Sequence, residues 1–360
     1  MDRGGTERRC ERARTVNELR AVIVGAGGMG KAWARAVADA GDAELVGWVD
    51  IAVERVGAAI GELGYEHLKI AISSRLEMLL DELRPDFVID VATPEVHHQI
   101  TASCLERRIP VLGEKPMAAT LAEAQDLIRR SEEASTLFVV SQNRRYCSGL
   151  IAFRRLVADQ VGELGQLNAE FYRAPRFGGF REEMDSPLLL DMAIHTFDAA
   201  RYVIGADPVS VYCVEFNPPW SWYRGAASAT AEFEFDNGVH FSYQGSWCAQ
   251  GRETSWESSW RAVGGRGSAQ WDGSSPPVAD VLRKEDEGSA ESGTARGEQV
   301  ILMEPQRTAE GIAGSLADFV GALRGGSVPM NECHDNVKSF AMVMGALESS
   351  RCGARVPVCW

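Results

Sequence analysis

The sequence predicts two folded domains: an α/β domain with a parallel sheet, followed by an α+β domain with a large, mostly antiparallel open sheet. Three observations support this prediction. The chain has 360 residues, more than one compact core usually holds. Its first half alternates short apolar runs with helical stretches. Its second half is rich in segments where apolar and polar residues alternate, which is typical of a sheet with one face in water.

In the first half, apolar strands and amphipathic helices follow one another in the order expected of a parallel sheet covered on both faces. The predicted strands are 21–25, 44–50, 87–91, 110–113 and 137–141, and the predicted helices are 29–40, 95–107 and 121–133. We place this domain at 20–142. The preceding residues, 1–19, are rich in Arg and Glu and predict a flexible N-terminal tail.

A glycine motif, Gly25-Ala-Gly27-Gly28-Met29-Gly30, lies between the first strand and the first helix, and Asp50 ends the second strand. This is the Rossmann spacing, in which Gly25 allows a tight turn, Gly27 admits a pyrophosphate and Gly30 lets the helix pack on the strand. Asp50 would accept hydrogen bonds from the ribose. The sequence therefore predicts an NAD(P) site formed by the whole motif, although a glycine-rich turn without a ligand stays open.

Asp50 also predicts which dinucleotide binds. A carboxylate at this position repels the 2′-phosphate of NADP, and residues 51–53 offer no arginine or serine to hold that phosphate. We therefore expect NAD, with NADP disfavoured.

The second half, 143–360, is predicted to be the α+β domain that binds the substrate and forms the oligomer. Strands at 229–235 and 239–247 flank Asn237-Gly238, a strong hairpin signal. Further elements are helices at 150–159, 309–324 and 334–350, a strand at 166–173 and a polar, mobile loop at 284–299.

Asp191 and His195 stand four residues apart on an apolar segment that reads as one helix, with Ser186 as its N-cap and Gly205 at its end. Four residues are about one helical turn, so we expect the carboxylate and the imidazole to share a face within reach of each other. Taken alone, this pair favours a buried structural hydrogen bond over an acid/base device.

Aromatic residues crowd the second half, and two interpretations remain open for the group. Sugar rings stack on aromatic faces, but sheets also bury aromatics, and burial is favoured for any single tryptophan. The residues concerned are Trp220, Trp222, Tyr223, Trp247, Trp256, Trp260 and Trp271.

Composition excludes several classes of function. The net charge of −14, without a basic stripe, argues against nucleic-acid binding, and no apolar run is long enough for a membrane span. Eight cysteines form no Cys-x-x-Cys pair and no metal-ligand spacing, so we expect no metal site and reduced thiols in a cytoplasmic protein.

Four motifs in one order now identify a resemblance: the glycine motif, Thr93-Pro94-Glu-Val-His97, Glu114-Lys115-Pro116 and Asp191-Met-Ala-Ile-His195. From about residue 20 to its C-terminus, the chain resembles the glucose–fructose oxidoreductase / inositol dehydrogenase / rhizopine-catabolism (Gfo/Idh/MocA) family. One stretch departs from it, because many relatives carry glycines where this chain has Ser186-Pro-Leu-Leu-Leu190.

The resemblance implies roles for the matching residues. Lys115 would donate to the reacting oxygen, Asp191 would hold the substrate or the lysine, and His195 would act as general acid/base. The Lys115–Pro116 peptide would be cis. The implied cofactor-lining residues are Thr93, Pro94, His97, Glu114 and Lys115, and the implied substrate contacts are Arg145, Tyr146 and Arg173.

We therefore expect an NAD(H)-dependent oxidoreductase that transfers a hydride between nicotinamide and a secondary alcohol or ketone of a sugar, cyclitol or derivative. The resemblance further implies a homodimer or homotetramer. Two alternatives stay open: an NAD-dependent glycoside-cleaving enzyme that works by transient oxidation and elimination, and a non-catalytic NAD-binding regulator.

Overall fold

The computed structural model describes residues 18–282, 297–302 and 309–360. The predicted tail lies outside these ranges up to residue 17, and the first strand already begins at Leu19. The predicted loop 284–299 also lies mostly outside them. Its last three residues form part of a strand, so that end of the loop prediction is wrong.

The first domain has the predicted parallel sheet of six strands, in the order β3-β2-β1-β4-β5-β6. The strands are β1 Leu19–Val24, β2 Ala43–Val49, β3 Ala71–Ser73, β4 Phe87–Asp90, β5 Val111–Gly113 and β6 Phe138–Val140. The helices are α1 Gly28–Ala40, α2 Val53–Leu63, α3 Leu76–Leu83, α4 Pro94–Glu106 and α5 Leu121–Ala134. This is the Rossmann order, with its reversal between β1 and β4.

The strands of this sheet are apolar throughout because both faces are buried. On β1, Val22 packs into one hydrophobic cluster, whereas Ile23 packs into the other, and both side chains are 0 % exposed. The strand order reverses beside β1, so the carboxyl ends of β1, β4 and β5 border a crevice. The glycine motif and Glu114 follow these ends directly.

The second domain is built on nine strands in the order β14-β13-β12-β11-β7-β10-β9-β8-β15, and only β7 and β10 pair in parallel. The strands are β7 Leu164–Tyr172, β8 Pro208–Phe216, β9 Ser228–Phe235, β10 His240–Ser246, β11 Ser259–Gly264, β12 Gly267–Trp271, β13 Val278–Leu282, β14 Gly297–Ile301 and β15 Val356–Pro357. The helices are α6 Ser148–Leu156, α7 Phe180–Glu183, α8 Ile194–Ile204, α9 Gly311–Leu323 and α10 Cys333–Cys352. The mostly antiparallel sheet and the β9–β10 hairpin are confirmed.

The segment predicted as one helix from Ser186 to Gly205 is divided. Leu188–Ala193 forms a π-helical turn, and α8 follows it and ends at Gly205 with a φ of 72°. Ser186 does not cap the helix with its side chain, which is a correction. Its Oγ instead donates to Glu215 Oε1 at 3.0 Å.

Helix α9 packs against the first sheet although it belongs to the C-terminal half of the chain. The ring of Phe319 contacts that of Phe87 edge-on, with centroids 5.5 Å apart, and both side chains are fully buried. Arg324, just after α9, pairs with Asp42 at 3.0 Å. A helix from the C-terminal half of the chain therefore contacts the first domain. The predicted domain boundary between residues 142 and 143 stays a prediction.

Two expectations from composition can be compared with the described residues. Seven cysteines lie in the described ranges and all are free thiols. Within those ranges, no helix combines the length and the apolarity that a membrane crossing needs.

Replacing Phe319 with Ala tests how far α9 holds the first domain together. Removal of a fully buried phenylalanine side chain typically lowers the free energy of unfolding by about 3–5 kcal/mol. Urea unfolding followed by fluorescence measures the change. Val328→Ala, at a side chain that is 75 % exposed, is the control and should stay within about 0.5 kcal/mol of wild type. Equal effects of the two substitutions would contradict the assigned packing.

Candidate active site

The glycine motif contains two kinds of glycine. A Cβ on Gly25 would lie 2.7 Å from the carbonyl oxygen of Val91, and one on Gly30 would lie 2.1 Å from that of Gly25, so both positions need glycine for packing. A Cβ on Gly27 or Gly28 would meet nothing within 4 Å. The open space therefore lies at the N-terminus of α1, where backbone N–H groups and the helix dipole favour a phosphate.

Asp50 is fixed beside this loop. Its Oδ2 accepts from the backbone N–H of Ala26 at 2.8 Å, and its Oδ1 accepts from that of Ala52 at 2.9 Å. Trp48 Nε1 of β2 donates to the carbonyl of Gly25 at 2.9 Å and so helps to fix the conformation of the glycine turn. A carboxylate offers about four acceptor sites, so Asp50 can still bind ribose hydroxyls. These residues fit a dinucleotide, and the sequence signal for Asp50 was its place at the end of β2.

His97, predicted to line the cofactor site, is instead buried against the end of β4. It is 2 % exposed, and its Nδ1 is hydrogen-bonded to Asp90 Oδ2 at 2.9 Å. Burial opposes protonation, but Asp90 raises the pKa of His97 above its usual range. Thr93 and Pro94 stand at the start of α4, next to the crevice. Of this motif, therefore, Thr93 and Pro94 remain cofactor-lining candidates, and His97 supports the end of β4.

Glu114 anchors the loop that carries Lys115. Its Oε1 accepts from Trp33 Nε1 of α1 at 2.8 Å, and burial raises the pKa of this carboxyl against the opposing influence of Trp33 and Lys115. The side chain therefore ties β5 to the helix that begins at the glycine motif. The Lys115–Pro116 peptide is cis, as expected.

Lys115 reaches across to the second domain. Its Nζ donates to Asp191 Oδ1 at 2.7 Å and to the backbone carbonyl of the same residue at 2.8 Å. Asp191 Oδ2 accepts from Arg181 Nε on α7 at 2.6 Å. Burial disfavours the charged carboxylate, but the two cations outweigh it and hold the pKa of Asp191 below its usual range. The structure thus unites Lys115 with Asp191, and adds Arg181, which the sequence analysis missed because α7 carries no motif.

Asp191 and His195 are not hydrogen-bonded to each other, contrary to the expectation from their spacing. Both oxygens of Asp191 are taken by Lys115 and Arg181. The cause is the π-helical turn that contains Asp191, because a π turn closes i→i+5 bonds and shifts the phase of the side chains from that of an α-helix. The two groups therefore face one site without contacting each other.

His195 is a neutral base in this arrangement. Its Nδ1 is buried and has no hydrogen-bond partner among the described residues, whereas Nε2 is not enclosed in this way. Burial, reinforced by the positive charges of Arg144 and Lys115, lowers the pKa of His195 well below 6.5. The imidazole is therefore uncharged at neutral pH and can accept a proton.

Arg145 and Tyr146, predicted to contact the substrate, have structural contacts instead. Arg145 is 6 % exposed and donates to Asp198, and the hydroxyl of Tyr146 donates to Asp318 at 2.8 Å. The structure does not bring either residue together with Lys115 and His195, and this corrects the expectation. Arg144, one position earlier, is the arginine whose charge acts on the pKa of His195, and no local pattern distinguishes the two adjacent arginines.

Arg173 lies closer to the site. Its guanidinium stacks over Trp256 at 4.3 Å and pairs with Glu253 at 2.9 Å. Trp256 is 40 % exposed, whereas Trp247 is buried. Burial also accounts for three further residues of the aromatic group: Tyr223, Trp260 and Trp271. Trp220 is also exposed, but Trp256 is the exposed member of the group that Arg173 contacts.

One group of metal-ligand type lies outside this site. Glu332, Cys333 and His334 bring their donor atoms within 4.8 Å of one another. Both ring nitrogens of His334 are already hydrogen-bonded to carboxylates, of Glu332 and Glu132, and these bonds raise the pKa of His334. Because a metal needs a neutral imidazole, the geometry is that of an ion pair between α5 and α10.

Gly27→Ala separates a ligand-binding glycine from a structural one. The backbone at Gly27 has a φ of −75°, and the added methyl meets no protein atom within 4 Å, so folding and thermal stability should be unchanged. The methyl enters the space of the pyrophosphate, so NAD affinity should fall roughly tenfold or more in a fluorescence titration. Gly57→Ala on α2, equally free of contacts, is the control and should leave that affinity unchanged. Wild-type affinity in Gly27→Ala would place the phosphates elsewhere.

Comparison with known proteins agrees with this geometry. The family model described as "Oxidoreductase family, NAD-binding Rossmann fold" matches residues 19–142, and the GFO/IDH/MocA C-terminal domain matches residues 151–270. The chain is 23 % identical to a 1,5-anhydro-D-fructose reductase of Ensifer adhaerens, over 92 % of this chain and 96 % of that protein. It is 28 % identical to "Uncharacterized protein y4oX" of Sinorhizobium fredii, over 93 % and 94 %.

The fold has solved counterparts. One is an oxidoreductase from Agrobacterium radiobacter, solved in complex with NAD+, L-tartaric acid and magnesium. It superposes with a TM-score of 0.82 at 21 % identity and covers 95 % of this chain and 99 % of its own. Together with the family match, the glycine loop and the Lys115–Asp191–His195 group, this establishes the chain as a member of the Gfo/Idh/MocA family, an NAD-binding oxidoreductase of the dehydrogenase/reductase type that acts on CH–OH groups.

Proposed function

We propose that this enzyme transfers a hydride between NAD(H) and a secondary alcohol or ketone carbon of a sugar, cyclitol or related polyol. The observation that carries the proposal is the placement of Lys115 Nζ. It lies at the crevice of the dinucleotide-binding sheet, is held by Asp191 at 2.7 Å, and is close enough to the neutral His195 to lower its pKa. Oxidation of a secondary alcohol needs a base to remove the hydroxyl proton and a donor to stabilise the negative charge on the oxygen, and these two groups can supply both.

In the direction of oxidation, the substrate loses a proton from oxygen and a hydride from carbon. His195 accepts the hydroxyl proton, and the Lys115 ammonium donates a hydrogen bond to the oxygen as negative charge develops on it. The glycine loop and Asp50 would hold NAD, which would supply the hydride acceptor. The products are a ketone, NADH and the proton on His195, which passes to solvent.

Asp191 orients the lysine and leaves the histidine free. Its carboxylate and its backbone carbonyl accept two of the three Nζ–H bonds of Lys115, so the third can point at the substrate. Its other carboxylate oxygen binds Arg181, which fixes the carboxylate plane. Lys115 and Asp191 are each 14 % exposed, and a small ligand can reach both.

The polyol class rests on two supports. The curated relatives include a 1,5-anhydro-D-fructose reductase and a D-apiose dehydrogenase, both named for sugars. The open ring of Trp256 beside Arg173 offers a face for a sugar ring. The segment Ser186–Leu190, in which Leu188 and Leu189 are fully buried, differs from the glycines that many relatives carry, so we do not assign the individual sugar by resemblance.

Assembly and compartment stay predictions. On β8, the side chains of Tyr212, Val214 and Phe216 are 41–49 % exposed along one face of the open sheet, which supports a homo-oligomer. The reduced thiols support a cytoplasmic protein.

Incubation with NAD and a panel of sugars and cyclitols, with NADH followed by absorbance, tests the reaction. Lys115→Met should reduce kcat by about 100-fold or more, because it removes a charged donor from the developing alkoxide, and should leave NAD affinity intact. Lys69→Met, at an exposed lysine before β3, is the matched control and should keep wild-type turnover. Wild-type turnover in Lys115→Met would overturn the role of the lysine. Release of an aglycone without net NADH would indicate the glycoside-cleaving alternative.

The pH dependence of kcat/KM for oxidation follows from the state of His195. A base must be neutral, and the pKa of His195 lies well below 6.5, so the rate should stay constant as the pH falls through 6.5 and drop only well below it. Asp191 stays ionised over the same range because its pKa is lowered too. Steady-state kinetics on the oxidised panel substrate measures the profile, with NAD affinity at each pH as the control. An acidic limb at or above pH 6.5 would contradict the assignment of His195.

A further inference from the structure

Two adjacent arginines, Arg144 and Arg145, differ sharply in how their charges are satisfied. Arg145 donates three charge-assisted hydrogen bonds, two to Asp198 at 2.6 and 2.8 Å and one to Asp335 at 2.7 Å. Arg144 donates to the backbone carbonyl of Trp256 and, at 3.7 Å, to the thioether sulfur of Met192. Both stand on the same short turn, so the difference lies in what surrounds each side chain.

Arg144 is an under-compensated buried cation. Its side chain is 11 % exposed, and its nearest carboxylate, Glu257, stays at 3.6 Å, beyond hydrogen-bond distance. A thioether is a weak acceptor, so most of the five guanidinium N–H groups lack a good partner within the described part of the chain. Burial lowers the pKa of Arg144 despite Glu257, which shows the cost of keeping the charge there. Such a group is normally paired.

Several buried polar groups near Arg144 have no hydrogen-bond partner among the described residues, including the side-chain amide of Gln142 two positions earlier. The hydroxyl of Tyr243, which interacts electrostatically with Arg144, is buried without a hydrogen-bond partner in the described ranges. Arg173, stacked on the ring of Trp256, has an unpartnered buried Nε in the described part of the chain. Burial raises the pKa of Tyr243, so its hydroxyl remains a donor. An anion beside Arg144 would supply the acceptor that its guanidinium lacks, since its hydrogen-bond partners among the described residues are one backbone carbonyl and a thioether.

We propose that Arg144 binds a carboxylate of the substrate, and that the substrate is therefore a polyhydroxy acid. The inference deepens the proposed function and rests on it. Arg144 contacts the sulfur of Met192, the residue after Asp191, so the carboxylate would be anchored next to the Lys115–Asp191 pair, with the reacting hydroxyl between His195 and Lys115. The small exposed fraction of the guanidinium leaves it reachable.

The charges at the site favour an anion of this kind. Lys115 and Arg181 share the single carboxylate of Asp191, and Arg144 pairs with Glu257 at 3.6 Å, so cations outnumber carboxylates by three to two in this group. A planar guanidinium matches a carboxylate with two parallel N–H···O bonds. A phosphate dianion would need more donors than one guanidinium and the hydroxyl of Tyr243 supply, so a carboxylate is the better fit.

The test compares ligands that differ only in the acid group. The NAD-loaded enzyme is titrated with D-gluconate against D-sorbitol, with D-glucuronate against D-glucose, and with D-glucose 6-phosphate, by calorimetry. Wild type should bind each acid about tenfold or more tightly than its neutral counterpart, as expected of a charge-assisted hydrogen-bonded pair. Equal affinity for acid and neutral ligands would overturn the proposal, and so would tighter binding of the phosphate than of either acid.

Variants then assign the preference to Arg144. In Arg144→Gln the ratio of acid to neutral affinity should fall towards one, and Arg144→Lys, which keeps the charge and loses the planar fork, should lie between. Arg351→Gln removes the same charge from the last turn of α10, at a side chain that is 73 % exposed, and should retain the wild-type ratio. A wild-type ratio in Arg144→Gln would refute the assignment. If Arg144→Gln does not fold, as judged by the loss of NAD binding, the wild-type affinities for the acid and neutral ligands still test the proposal.

The binding and turnover measurements distinguish failure of the carboxylate site from failure of the proposed hydride transfer. If the acids bind preferentially but neither they nor the neutral ligands yield NADH with NAD, the proposed hydride transfer is at fault and the carboxylate site stands. If neutral polyols are oxidised with no preference for acids in either affinity or KM, the proposed function stands and the carboxylate site is refuted.

Discussion

The active site depends on one interaction between the domains, the ion pair of Lys115 with Asp191 at 2.7 Å. Lys115 follows a strand of the Rossmann sheet, and Asp191 lies in a turn that packs on the second sheet, so the pair joins the second domain to the edge of the crevice. Both side chains are largely buried, and removal of Asp191 would leave the Lys115 ammonium without its carboxylate partner, whereas Asp191 would still pair with Arg181. The constraint is therefore geometric as well as energetic.

A second set of buried charges, between α8, Arg145 and α10, holds the helix that carries His195. Asp198 on α8 binds Arg145 through both oxygens and accepts from Ser339 of α10 at 2.6 Å. Arg201, one turn further along α8, donates to Asp335 at 2.8 Å. These bonds fix the rotation of α8, and hence the direction in which His195 points. Because buried ion pairs add little net stability, their main effect here is to select one arrangement of the helices.

The cations of the site also set the protonation states of His195 and Asp191. Lys115 and Arg144 face the imidazole of His195 and, together with its burial, keep it neutral, whereas Lys115 and Arg181 keep the Asp191 carboxylate ionised. A base and a charged orienting group thus coexist at one pH because their environments differ. The π-helical turn makes this possible, since it directs Asp191 to the cations and away from His195.

The sequence by itself determined the two domains, the glycine loop with Asp50, and the identity of Lys115, Asp191 and His195 as the candidate group. The domains and the glycine loop follow from local patterns (apolar periodicity, turn residues and fixed spacings), whereas the candidate group follows from the family resemblance of the motifs that contain it. The tertiary structure alone decided which groups meet. Lys115 and Asp191 are separated by 76 residues, the π turn breaks the helical phase between Asp191 and His195, and the turn at Asn143–Tyr146 sends Arg144 to the site and Arg145 to Asp198. No local pattern encodes these choices, because they depend on how the two sheets and their helices pack against each other.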